Sequence, residues 1–135
     1  LLDARLLAGI DHKLKEEQTI HIQFVNGGID RAVEKLLQLE HLEVSCVGFS
    51  VGGLIAWKAA LQGLNIKQLI SISATRLRYE TQKPSTDIQL FFGDQDPYRP
   101  TQEWLEAMDV NYQLLAGGHE IYKESGFIKD FIEQL

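Results

Sequence analysis

A chain of 135 residues with 44% hydrophobic composition suits a single compact domain over 1–135, large enough to bury a core, and a second domain is not expected. The balance of 13 basic against 19 acidic residues gives a formal charge of −6 without a basic cluster, which argues against nucleic acid as a partner. No apolar run approaches the ~20 residues of a membrane span, no basic segment leads into an apolar one at the start, and the single cysteine, Cys46, allows no intrachain disulfide; a cytoplasmic protein with a buried thiol is the expectation.

Leu2, Leu6, Leu7, Ile10 and Leu14 recur at helical spacing behind a possible cap at Asp3, which predicts an amphipathic helix over about 3–16. Thr19 to Val25 alternates and then turns apolar before Asn26-Gly27-Gly28, the pattern of a strand. Ile29, Val33, Leu36, Leu37 and Leu39 predict a helix, Val44 to Phe49 a strand, and Leu54 to Leu61 a helix ended by Gly63. A third strand is expected over Ile66 to Ser73, followed by a polar loop from Thr75 to Thr86. Ile88 to Gly93 reads as a fourth strand, Pro100 and Thr101 open a helix with Trp104, Leu105 and Met108, and Val110 to Leu115 reads as a fifth strand. Phe127, Ile128, Phe131, Ile132 and Leu135 predict a closing helix capped by Ser125.

Strands alternating with helices at this spacing predict βαβ units: a largely parallel α/β sheet with helices on both faces, whose ligands bind at the carboxyl ends of the strands. Three chemically capable positions fall at such ends: Ser50, the Asp94/Asp96 pair and His119. A serine hydroxyl is a poor nucleophile until a base takes its proton, and a histidine base works best when a carboxylate fixes its tautomer and stabilises its charged form. Ser50 also sits in a strand-turn-helix sequence, Gly48-Phe49-Ser50-Val51-Gly52-Gly53, in which Gly48 and Gly52 relieve crowding around a strained serine.

These residues resemble the α/β-hydrolase superfamily, in particular small capless serine esterases and dienelactone-hydrolase-like proteins. Gly48 to Gly53 is similar to its nucleophile elbow, Gly93-Asp94-Gln95-Asp96-Pro97-Tyr98-Arg99-Pro100 to its acid loop, and Gly117-Gly118-His119 to its histidine loop. The resemblance implies Ser50 as nucleophile, Asp96 as acid with Asp94 as the second candidate, His119 as base, and the Val51 N–H as one oxyanion-hole donor. It implies a cofactor-independent hydrolase acting on a small-molecule ester or thioester. Serine stands where dienelactone hydrolases commonly carry cysteine.

The loop over 75–86 is too short for a cap domain, so an open cleft is expected, with Phe49, Leu77, Tyr79, Tyr98 and Tyr122 as pocket walls. Arg76 or Arg78 could contact an acidic substrate, or could be incidental arginines on a solvated loop. Ser50 also reads as a helix N-cap and the two aspartates as turn formers. His12, His21 and His41 have structural or surface roles, and no spacing suggests a metal site. In the family, a strand ending in an oxyanion loop, commonly H-G-x-x-G, precedes the first helix found here and supplies a second N–H. Its strand would lie between the strands at 19–25 and 44–49. The expectation is an N-terminally truncated chain rather than a reduced domain. If that donor is missing, the alternative is a catalytically weak or inactive binding or scaffold domain. A nucleotide-binding reading of the Gly48 to Gly53 turn fits neither G-x-G-x-x-G nor a P-loop.

Overall fold

The structure, a computed structural model, describes residues 3–11, 16–39 and 42–123. At its centre β1 (Val44–Phe49), β2 (Ile66–Ile72), β3 (Asp87–Gly93) and β4 (Asn111–Leu115) form a sheet in that order, every neighbouring pair parallel. Cys46 is level with Leu69 and Leu69 with Ile88, while Gly48 is level with Ser71, Ser71 with Leu90 and Leu90 with Tyr112, so these residues share one face. On that face Leu69, Ile88, Leu90 and Phe92 join Leu54, Trp57 and Leu105 in one core cluster.

Two helices supply that cluster. In α4 (Val51–Leu61), Leu54, Ile55, Ala56, Trp57 and Ala59 are all buried, because the helix is enclosed between β1, β2 and a second helical layer. In α5 (Gln102–Met108), capped by the Thr101 hydroxyl, Trp104 stands 6.0 Å from Trp57 between ring centroids, which sets α5 beside α4. Right-handed crossovers between successive parallel strands require that both helices lie on the same side. Ile70 and Ile72 are buried on the opposite face. The closing helix expected over 127–135, with its cap at Ser125, lies outside the described residues.

The second helical layer is α3 (Ile29–Leu39), which buries Ile29, Ala32, Val33 and Leu36. It packs on α4 and on α1 (Ala4–Ala8). Asp3 caps α1 through its Oδ1, which accepts from the Arg5 N–H at 2.8 Å. The helix expected over 3–16 is shorter than its apolar spacing suggests: Gly9 turns left-handed at φ 70° and its N–H closes the helix on Arg5 and Leu6 carbonyls. Arg31 of α3 then donates to the Ala8 carbonyl at 2.8 Å, pinning that end.

The strand expected over Thr19 to Val25 is instead α2 (Glu17–Gln23), running through a kink at Phe24–Gly28 into α3. Gly27, at φ 102°, makes the kink, and Gly28 allows close contact with the Gln23 carbonyl, 2.6 Å from an added Cβ. The reason is partnering. A strand must exchange backbone hydrogen bonds sideways, and among the described residues β1 ends the sheet with no neighbour on its outer side. A helix satisfies the same groups locally; the Phe24 N–H donates to the Ile20 and His21 carbonyls. Ile20 and Phe24, four apart, turn inward, while Ile22, which alternation would place beside them, is 51% exposed.

Strands were expected at the positions of β1, β2, β3 and β4, and helices at those of α3, α4 and α5; all are present. The loop over 75–86 contains one short helical turn, Leu77–Tyr79. It is held from beneath: the Trp57 indole N–H donates to the Gln82 carbonyl at 3.0 Å and that of Trp104 to the Glu80 carbonyl at 2.9 Å. Cys46 is half-buried, not fully buried as expected, because β1 has no neighbour on its outer side among the described residues. Among the described residues no helix is long and apolar enough to cross a membrane.

Candidate active site

Ser50 stands between the end of β1 and the start of α4 with φ 52° and ψ −124°, a backbone conformation rare for any residue but glycine. Such a conformation costs ~1–3 kcal/mol and persists only where the surroundings impose it. Here they do. The Ser50 N–H donates to the Ile72 carbonyl at 2.9 Å, and the Ser50 carbonyl accepts from Gly53 at 3.1 Å and Thr75 at 3.3 Å. Gly48 is required by space, since an added Cβ would stand 2.7 Å from the Gly53 backbone. Gly53 is equally constrained, with Ser71 Oγ 2.2 Å from such a Cβ. Gly52 is not, because nothing lies within 4 Å of its added Cβ; the crowding assigned to Gly52 in the sequence belongs to Gly53.

The three strand-end residues meet. Ser50 Oγ lies 3.1 Å from His119 Nε2, and His119 Nδ1 lies 2.9 Å from Asp96 Oδ2. An ionised carboxylate only accepts, so Nδ1 carries the proton toward Asp96 and Nε2 is left as acceptor for the serine hydroxyl. The Asp96 side chain is 1% exposed, and its Oδ1 accepts from the Tyr98 N–H at 2.9 Å, which uses both oxygens and fixes the carboxylate's orientation. His119 remains 23% exposed, open to a reactant on one side. The rings of Tyr98 and Tyr122 meet it edge-on, at centroid distances of 6.0 and 6.4 Å.

Asp94 serves differently from Asp96. Its Oδ1 accepts from the Gly117 N–H at 3.1 Å, and its own N–H donates to the Leu115 carbonyl at 2.7 Å, so it ties the acid turn to the histidine loop. Gly93 lets that loop approach: an added Cβ would stand 2.2 Å from the Gly118 carbonyl oxygen. Val51, first residue of α4, lines the same cleft as Ser50, and an N–H at that position has no intrahelical partner.

The cleft above Ser50 has a volume of about 610 Å³. Of the expected walls, Tyr98 and Tyr122 line it. Leu77 does not; it is wholly buried in the core, because the helical turn at Leu77–Tyr79 folds its side chain inward. Phe49 lies behind Tyr122, 5.5 Å between centroids, and is not a wall residue. Tyr79 is displaced to an adjoining groove. Ile20, Phe24, Val25 and Ile29 form the apolar wall instead. The sequence reading missed them by taking 19–25 for a strand; their spacing over 20, 24, 25 and 29 was the available signal.

Arg76, Arg78 and Lys123 bring positive charge to the rim, and His21 is exposed there. Lys123 donates to Glu120 at 2.8 Å, and that bond with the ammonium charge holds the Glu120 carboxyl below the usual carboxylate range. His12 and His41 lie outside the described residues. Among the described residues no group of three or more His, Cys, Asp or Glu side chains converges as a metal-ligand set.

No protein-family model matches the chain, and no curated protein matches it by sequence. Solved structures do. A protein of Pectobacterium atrosepticum described as a YdeN-like hydrolase aligns with a TM-score of 0.56 and 23% identity over 67% of this chain and 57% of its own. A protein of Thermoplasma acidophilum described as a CIB-like hydrolase aligns at 0.64 and 20%, over 94% of this chain and 69% of its own. A protein of Klebsiella pneumoniae described as a dienelactone hydrolase aligns at 0.64 and 14%, over 97% and 70%. The chain therefore spans between 57% and 70% of the length of these three structures. With its parallel sheet and flanking helices, it has the α/β-hydrolase fold.

Proposed function

We propose that the chain is a serine hydrolase that cleaves a carboxylic ester or thioester through an acyl-enzyme on Ser50. The observation that carries this reading is the continuous hydrogen-bonded path from Ser50 Oγ through His119 to the buried Asp96 carboxylate. Similarity in fold to hydrolases supports it at the level of hydrolysis; the ester or thioester class follows from the chemistry of an activated serine.

In this reading His119 Nε2 takes the hydroxyl proton as Ser50 Oγ bonds to the carbonyl carbon. Asp96 holds the imidazole's orientation and balances the positive charge that develops on it. The carbonyl oxygen gains negative charge and accepts from the Val51 N–H. When the intermediate collapses, the bond to the leaving oxygen or sulfur breaks and the His119 proton passes to that group. Water then repeats the sequence on the acyl-enzyme, releasing the acid and restoring Ser50. None of these steps needs a cofactor.

A second reading, a catalytically weak or silent binding domain, keeps its place because Val51 is the one oxyanion donor assigned. Lacking the other typically costs ~100- to 1000-fold in rate. Labelling with a fluorophosphonate, together with turnover of 4-nitrophenyl acetate and butyrate, decides between them. A hydrolase is labelled on Ser50, and Ser50→Ala and His119→Ala each lose turnover by ~1000-fold or more. Unchanged labelling and turnover in both variants would overturn the proposal, and a folded protein with neither property favours the binding domain.

A further inference from the structure

The arginines at the cleft rim are built into the fold. Arg76 has φ 63° and ψ 5°, left-handed backbone at a residue with a Cβ, which the fold must impose. Its guanidinium lies 4.9 Å from the Tyr79 ring centroid, and that of Arg78 lies 4.4 Å from the same ring and 5.7 Å from Tyr98. Arg78 also donates to the Tyr98 carbonyl at 3.1 Å and to the Tyr79 hydroxyl at 2.9 Å. The loop that carries both is fastened by the indole N–H bonds to Glu80 and Gln82. Guanidiniums held this way lose little further freedom on meeting an anion.

Among the described residues neither arginine forms an ion pair with a carboxylate. Of the nearby acids, Glu120 is engaged by Lys123, while Asp30 and Glu80, the latter engaged by Lys58 at 3.3 Å, line an adjoining groove that Arg76 also borders. Arg78 spends its donors on neutral oxygens, and Arg76 has no hydrogen-bond acceptor among the described residues. Two clustered cations therefore border the cleft that holds Ser50 and His119 and that Ile20, Phe24, Val25 and Ile29 line with apolar surface.

We infer that Arg76, positioned against Tyr79 and backed by Arg78, binds a carboxylate on the substrate's acyl chain. This rests on the serine-hydrolase reading and narrows it to esters or thioesters of short dicarboxylic acids. The hydrocarbon between the two carbonyl carbons lies against the apolar wall, and the free carboxylate meets the guanidinium. A charge-assisted bond of this type discriminates an acidic from a neutral chain by about tenfold or more.

The test compares the 4-nitrophenyl half-ester of glutarate with 4-nitrophenyl valerate, chains of equal length. The full chain is expected to prefer the acidic ester in kcat/KM, and Arg76→Met to reduce the ratio of the two values by about tenfold or more, with Arg76→Lys between. Salt at 0.5 M lowers the preference in the parent but not in Arg76→Met. A second arm removes chemistry: in Ser50→Ala, calorimetry compares monomethyl with dimethyl glutarate, and adding Arg76→Met is expected to abolish the tighter binding of the monoanion.

If turnover depends on Ser50 but the ratio is the same in Arg76→Met, the carboxylate site is overturned and the hydrolase stands. If turnover survives Ser50→Ala, the hydrolase reading fails, and calorimetry still decides the site: Arg76-dependent preference for the monoanion supports it, equal binding of the two esters overturns it. Circular dichroism of Arg76→Met and Arg76→Lys separates these outcomes from misfolding, and the two substitutions must agree in direction.

Discussion

On the strand-end side of the cleft, main-chain hydrogen bonds hold Ser50 to β2 and Asp96 in its turn, and bonds between Gly117 and the turn at Asp94 and Gln95 hold the loop that carries His119. On the α2 side, Ile20 and Phe24 are positioned by side-chain packing on a helix followed by a kink. The first kind of construction tolerates little displacement, because a carbonyl and an N–H lose their bond within a fraction of an ångström. The second is graded, each buried methylene adding its own increment. The geometry of the path from Ser50 through His119 to Asp96 thus rests on the stiffer wall and the shape of the pocket on the softer one.

The largest expected effect breaks the stiff side. Gly93→Ala drives a methyl group into the Gly117 and Gly118 carbonyls, 2.4 and 2.2 Å away, and neither backbone can yield without moving His119. A loss of about 4 kcal/mol or more in urea unfolding is expected. A loss below 1 kcal/mol would show that the histidine loop is not fixed by this contact. Next comes the soft side: Phe24, 6% exposed, is expected to cost about 3 kcal/mol on replacement by Ala. If that substitution were as cheap as a surface change, α2 would not be a packed wall. The smallest effect has the opposite sign. Gly52→Ala fills open space in the first turn of α4 and is expected to raise stability by about 0.5–1 kcal/mol, seen as a higher urea midpoint with unchanged slope.

The same division explains what was legible in the sequence. Each strand from Val44 onward is an apolar run closed by turn residues, and its chemistry stands within a few positions of its end, so order along the chain translates directly into proximity across a parallel sheet. Asp96 and His119 are separated by 23 residues but by only one strand pairing. The first 43 residues were harder to read. Ile20, Ile22 and Phe24 satisfy alternation, yet Ile20 and Phe24 also satisfy helical spacing, and the choice depends on whether a neighbouring strand exists to bond with. Leu77 failed for a related reason. A leucine in a polar loop suggests a wall, and nothing local reveals that a single helical turn tucks it into the core. The left-handed backbone of Arg76 likewise leaves no mark in its neighbours.

The two indoles have an optical consequence. Trp57 and Trp104 are the only tryptophans in the chain, their ring centroids are 6.0 Å apart, and both N–H groups are bonded to the loop that carries the rim arginines. At that separation their excited states couple, so the tryptophan bands of the near-ultraviolet circular dichroism and the tryptophan emission of the native protein come from one pair of chromophores at the base of the cleft loop. Any event that loosens that loop, or draws α5 away from α4, is recorded in the spectrum without a label.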